Sequence, residues 1–144
     1  MKRKPNIRHV AILAALCLLI TGVSGCISQS GYEFKSGITP PQAVSELMKN
    51  RTVVLFITQN NCPDCEKTKP LIEDLKSQYN GTNVTFVTFN VDDNATSRNV
   101  GRAYGVTATP TTIVLRGDGA AAMFVGVFDE PTVKNAIEDA RKWK

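Results

Sequence analysis

TVVLFITQNNCPDCEK, residues 52–67, is the stretch on which the fold turns. Its first seven residues are an unbroken β-branched and apolar run, the pattern of a strand buried on both faces. Gln59, Asn60 and Asn61 then make a polar turn. Pro63 opens a helix, where its missing N–H is not needed. Apolar residues Leu71, Ile72 and Leu75 form a stripe along that helix, which is expected over 63–79. Two cysteines, Cys62 and Cys65, therefore stand at positions i and i+3 where a buried strand hands over to a helix.

The pattern extends in both directions. Before the strand, Thr39-Pro40-Pro41 starts a helix carrying Val44, Leu47 and Met48 to about residue 50. After the central helix, Gly81 precedes a second buried strand over 84–91, and Asp92-Asp93-Asn94 lead into a short helix ending at Gly105. Strands at 111–115 and 121–127 are joined by the turn Gly117-Asp118-Gly119, and a last helix runs from 130 to 143. The order is α-β-α-β-α-β-β-α. Strands separated by helices are expected to run parallel, and the last two antiparallel around their short turn. The class is α/β, with a mixed central β-sheet flanked by helices on both faces. No repeat or second domain is visible.

Composition bounds the functions open to such a domain. Of 144 residues, 42% are hydrophobic and 21% charged, an ordinary globular balance. The net charge of +4 is carried by Lys2, Arg3, Lys4 and Arg8; from residue 26 onward 13 basic residues meet 13 acidic ones. A neutral domain gives no electrostatic case for nucleic acid. The basic start is followed by an uncharged apolar stretch over 10–20 and then small residues, the three-part pattern of a secretory signal. That stretch is short for a membrane span, although an uncleaved N-terminal anchor is the alternative. Val23-Ser24-Gly25-Cys26 resembles the lipobox of exported lipoproteins, whose cysteine takes a lipid. The competing reading of Cys26 is a stray thiol beside a cleavage site. The expected layout is a lipoprotein-type signal peptide over 1–25, a Ser/Gly-rich tether over 26–38 and the folded domain over 39–144. The location is then extracytoplasmic, anchored to the cell membrane.

With Cys17 inside the signal and Cys26 assigned to lipid, Cys62 and Cys65 are the only thiols in the body of the domain. Free N–H groups and the positive helix dipole at the start of a helix favour thiolate at the leading cysteine. Cys62 is accordingly the expected nucleophile, and Cys65, one turn inside, the residue that resolves a mixed disulfide. Zinc needs two further ligands. The domain offers no other cysteine and no histidine, His9 lying in the signal, so only carboxylates are left to complete such a site and no metal is expected. A static staple across so short a loop stabilises little. A Cys-His hydrolase lacks its histidine.

Over residues 39–144 the chain resembles the thioredoxin family. The resemblance is carried by the strand 52–58 entering Cys62-Pro63-Asp64-Cys65, by Pro70 five residues after Cys65, and by 105–112 (GVTATPTT), which is similar to the family's cis-proline segment. It implies a thiol–disulfide oxidoreductase with a redox-active Cys62–Cys65 disulfide and no other cofactor. Thr109 and Pro110 would then line a substrate groove across from the cysteines, the backbone of Thr109 binding an extended chain. Gly126 would flank that groove, or be a simple strand bulge. The sequence departs from the family in several places. Phe56 stands where the family has a buried acid, Thr88 where that acid has its lysine partner, and Asn61 where an aromatic residue precedes the first cysteine. Asp64 sets a negative charge beside Cys62, opposing thiolate formation and arguing against a strong oxidant. The expected activity is protein-disulfide reduction or exchange. Disulfide oxidase or isomerase, or a binding module without redox turnover, are the alternatives. Expected partners are protein disulfides and a membrane electron donor, with the protein itself monomeric. Asn80, Asn83 and Asn94 fit the glycosylation sequon but equally suit turns, and Trp143 reads as an anchor for the last helix.

Overall fold

The computed structural model describes residues 31–143; the signal, Cys26 and the first part of the expected tether lie outside the described residues. Its elements are α1 (Gln42–Ser45), β1 (Thr52–Thr58), α2 (Pro63–Gln78), β2 (Val84–Asn90), α3 (Ala95–Ala103), β3 (Thr111–Leu115), β4 (Ala121–Val125) and α4 (Glu130–Lys142). The strands form one sheet in the order β2-β1-β3-β4. β1 pairs with β2 in parallel and with β3 antiparallel, and β3 pairs antiparallel with β4.

β1 is central because both of its faces are apolar. Val53, Leu55 and Ile57 point into a cluster with Val44, Val100 and Tyr104 from the α1–α3 side. Val54 points the other way, among Leu75, Val133, Ala136 and Ile137 from α2 and α4. Helices thus cover both faces of a mixed sheet. Each such buried side chain contributes on the order of 1.5–3 kcal/mol. In α4 the buried residues Val133, Ala136, Ile137 and Ala140 fall at the i, i+3, i+4, i+7 spacing of one helix face.

Four expectations are corrected. β3 does not run parallel to β1. Thr111 pairs with Ile57 and Leu115 with Val53, so β3 begins at the edge where β1 ends. The nine-residue α3 and the loop after it cross the sheet's face without returning to the opposite edge. β2 is an edge strand, only Val84 of which is fully buried, because it has a single strand neighbour among the described residues. α1 is a single turn ending at Ser45, followed by tighter turns to Asn50, whose positive φ of 59° breaks the helix. The tether reading also fails for residues 32–38. Tyr32 and Phe34 pack on the α2–α4 core, and Lys35 pairs antiparallel with Ala121 at the outer edge of β4. Two aromatic rings three residues or fewer from a backbone bridge hold this strap against the sheet.

Candidate functional site

The site is assembled where β1 ends. Thr58 hands over to Gln59-Asn60-Asn61, and this loop is fixed from β2. Asn60 N–H donates to Asp92 Oδ2 at 2.8 Å, Asn90 Nδ2 donates to Asn60 Oδ1 at 2.8 Å, and Asp92 N–H donates to Asn90 Oδ1 at 2.9 Å. Asn61 takes a left-handed φ of 53°, which asparagine tolerates better than most residues. This reverses the chain into α2 with Cys62 as its N-cap.

Cys62 Sγ accepts a hydrogen bond from Cys65 N–H at 3.1 Å. The sulfur thus occupies the place where a capping oxygen usually sits, facing the free N–H groups of the first turn. A donor aimed at sulfur favours the thiolate once the bond is reduced. In the structure Cys62 and Cys65 are joined in a disulfide, with an S–S distance of 2.02 Å. Cys62 keeps 9% of its surface exposed and Cys65 3%, so the first sulfur is the more accessible of the two. Asp64 is exposed and ion-paired with Lys67 at 2.7 Å, which screens its charge from Cys62. α2 continues through Pro70 to Gln78.

The floor beneath the cysteines is apolar. Phe56, 3% exposed, clusters with Cys62, Cys65 and Ile72, with Phe86 and Phe128 packed around them. Phe56 lies opposite Thr88 in the β1–β2 register. The acid and lysine positions of the family pattern are therefore neighbours here, occupied by a ring and a hydroxyl. Beside them a cavity of about 240 Å³ reaches Cys65, bordered by Glu66, Lys69, Glu73 and Asn90. A polar space of this size admits water. The cavity thus opens beside Cys65 where the family pattern has a buried acid.

The opposite wall comes from the loop before β3. The Thr109–Pro110 peptide is cis, and Thr109 Oγ1 lies 3.8 Å from Cys62 Sγ. Thr111 Oγ1 donates to Ala108 O at 2.7 Å, bracing the turn. Gly126 N–H donates to Pro110 O at 2.8 Å, with the glycine at φ 85°, a region that L side chains rarely adopt. The structure therefore brings Cys62, Cys65, Thr109, Pro110 and Gly126 together. Val125 and Val127, 61% and 50% exposed, flank Gly126 and give this rim an apolar surface. The geometry presents one accessible sulfur, backed by a second, beside a backbone segment open to an extended chain.

Sequence reasoning missed the Asn60–Asn90–Asp92 network, the valine rim and Phe128. Asn60 and Asn90 do stand at the ends of two strands expected to be neighbours, a signal for side-chain contact between them. Phe128 carries no periodic signal because it lies in an irregular segment. Two sequon asparagines have structural partners: Asn94 caps α3 by accepting from Ser97 N–H at 2.9 Å, and Asn83 Oδ1 accepts from Arg141 Nε at 3.3 Å.

The family model for a thioredoxin-like domain matches residues 41–141. No curated protein matches the chain in sequence. Among solved structures, a mutant thioredoxin from Halobacterium salinarum NRC-1 superposes with a TM-score of 0.60 at 23% identity, covering 74% of this chain and 90% of that one. Oxidised mitochondrial thioredoxin 3 from Saccharomyces cerevisiae gives 0.56 at 22% identity, over 65% and 83%. A chain from work on thiol resolution in the yeast mitochondrial 1-Cys peroxiredoxin gives 0.59 at 22% identity, over 70% and 91%. At these identities the likeness speaks to the fold.

Proposed function

The chain belongs to the thioredoxin-like family, and from that premise we propose that it is a protein-disulfide reductase or exchange protein, tethered to the outer side of a membrane. The paired cysteines on this fold support a thiol–disulfide oxidoreductase. The observation that carries the reading is the placement of Cys62 Sγ at an open helix N-terminus, 3.8 Å from the hydroxyl of Thr109.

In the reduced protein, the Cys62 thiolate attacks one sulfur of a substrate disulfide. A Cys62–substrate S–S bond forms, the substrate S–S bond breaks, and the other substrate sulfur leaves as thiolate, taking a proton from solvent. Cys65 then loses its proton and attacks Cys62 Sγ. The mixed bond breaks, the Cys62–Cys65 bond forms, and the substrate has gained two electrons and two protons in all. A dithiol donor restores the pair by the reverse exchange; a membrane protein fits that role for a domain outside the cell. The residue after Pro63 is Asp64, paired with Lys67, so no cation in the motif adds to the helix N-terminus in holding a thiolate at Cys62, which suits the reductive direction. The tether rests on the sequence of residues 1–26, with a lipid on Cys26 as its anchor.

Replacing Cys65 by Ser removes the resolving sulfur and leaves the attacking one. Cells carrying this variant accumulate covalent adducts on Cys62 that reductant releases. Absence of adducts, with Cys62 still open to alkylation, refutes the exchange mechanism. Mass spectrometry of the mature N-terminus reads the lipid on Cys26 directly.

A further inference from the structure

A second recess adjoins the groove on the side away from the 240 Å³ cavity. It has a volume of about 210 Å³ and runs from Thr109 past Thr107 to α3, with Gln59 on its other side. Its charged lining residues are Arg98 and Arg102, and no acidic residue lines it. The two arginines stand four residues apart on α3, so their side chains lie on one face of the helix.

These two cations differ from the six that are ion-paired among the described residues. Lys49, Lys67, Lys76, Arg116, Arg141 and Lys142 each pair with an acid. Arg98 donates only to the carbonyl of Val91, at 3.4 Å. The guanidinium of Arg102 has no hydrogen bond or ion pair among the described residues. Like charges one helical turn apart repel, although Arg102, in the last turn of α3, also suits the helix dipole. Each retains a donor fork that matches a carboxylate.

We propose that this recess is a subsite for an acidic side chain of the substrate polypeptide, held by Arg98 and Arg102. The inference rests on the exchange reading above, since the substrate's cysteine is placed at Cys62. Thr109 is common to both places: its hydroxyl faces Cys62 Sγ and it forms one end of the recess. An extended chain advances about 3.3 Å per residue. The acidic side chain belongs to an Asp or Glu near the substrate's cysteine along that chain, because Thr109 borders both places. The recess makes the protein selective for disulfides flanked by acidic residues, a choice Cys62 and Cys65 cannot make.

Binding is tested apart from redox turnover by titrating oxidised, isotope-labelled protein with short amidated peptides. Serine replaces the peptide cysteine, and the flanking positions carry Glu in one peptide and Gln in the other. The Glu peptide is expected to bind about fivefold tighter at low salt, and the shifted resonances to include Thr107, Thr109 and the two arginine side chains. The advantage shrinks as the Debye length falls. It disappears in Arg98→Gln/Arg102→Gln and in the single Arg102→Gln variant is at least halved. Arg98→Glu/Arg102→Glu instead prefers a peptide with Lys at those positions. Equal affinities in the wild type, or a preference that survives the double neutralisation, overturn the subsite. Insulin reduction by the same wild-type sample tests the exchange reading separately: arginine-dependent peptide binding without reduction upholds the subsite and removes the reductase.

Discussion

The two ends of the sheet use charge in opposite ways. Around the C-terminal end of β1, the chain is held mainly by amide, apolar and backbone contacts. Asn60, Asn90 and a carboxylate fix the loop, Phe56 supports the sulfurs, and Gly126 is bound to Pro110. Among the described residues Arg98 and Arg102 form no ion pair there, and Val125 and Val127 stay exposed. At the other end nearly every charge is used. Arg116 chelates Asp118 through two bonds of 2.9 and 2.7 Å. Its guanidinium also stacks on Trp143 at 3.9 Å and faces Phe34 at 5.2 Å. Glu138 accepts from Tyr79 and Arg141, and Asp139 from Tyr32 and Lys142. The N-terminal strap, the β3–β4 turn and α4 are tied by the same few side chains. Ion pairs and ring contacts are dense around Arg116 and α4, whereas Arg98 and Arg102, without ion pairs, border the recess beside Thr109.

The sharpest way to break this contrast is Phe56→Ala. Removing a buried ring at the floor of the site is expected to cost about 3–5 kcal/mol. It should also slow insulin reduction, because the cysteines lose their support. Denaturant unfolding and turnover on one sample read both, and a loss of stability with full turnover would uncouple the floor from the sulfurs. Arg116→Ala is expected to cost less, about 1–2 kcal/mol for one partly exposed ion pair and its ring contacts, with no change in turnover. The two losses should add, since the sites share no partner.

The smallest effect is in pH. Asp118 is held below the usual carboxylate range by the bonds from Arg116, Glu138 by the hydroxyl of Tyr79, and Asp139 by that of Tyr32. Their folded pKa values lie below the unfolded ones. The stability they contribute is therefore complete above pH about 4–5 and lost as the pH falls through the lower folded values. Tyr104, whose pKa burial pushes up to about 12, acts at the other limit. Its contribution is complete below pH about 10 and lost as the pH rises toward the folded value. Thermal midpoints across pH 2–12 check both; Asp139→Asn should flatten the acid limb and leave the alkaline one.

Much of this was legible in the sequence where one residue type answers one physical demand. The run at 52–58 announced a doubly buried strand because no polar face interrupts it, and Cys62-Pro63 announced a helix start. Thr109-Pro110 was legible only through family resemblance, since no local propensity places it opposite Cys62. The direction of β3 was not legible, because the rule linking helices to parallel strands assumes that the helix spans the sheet. The strap was read as tether because Tyr32 and Phe34 are too few and too irregular to set a period. The arginines without ion pairs could not be recognised either: composition counts charges but not which of them are paired.

The strap lies along an edge whose composition favours strand pairing. β4, Ala-Ala-Met-Phe-Val, has no charge and no proline, and an outer strand of that composition invites pairing with another chain. Lys35 takes the backbone groups of Ala121, and the ring of Tyr32 rests against Phe124. Through this one bridge the segment before the domain occupies the start of an edge that another strand would otherwise pair with.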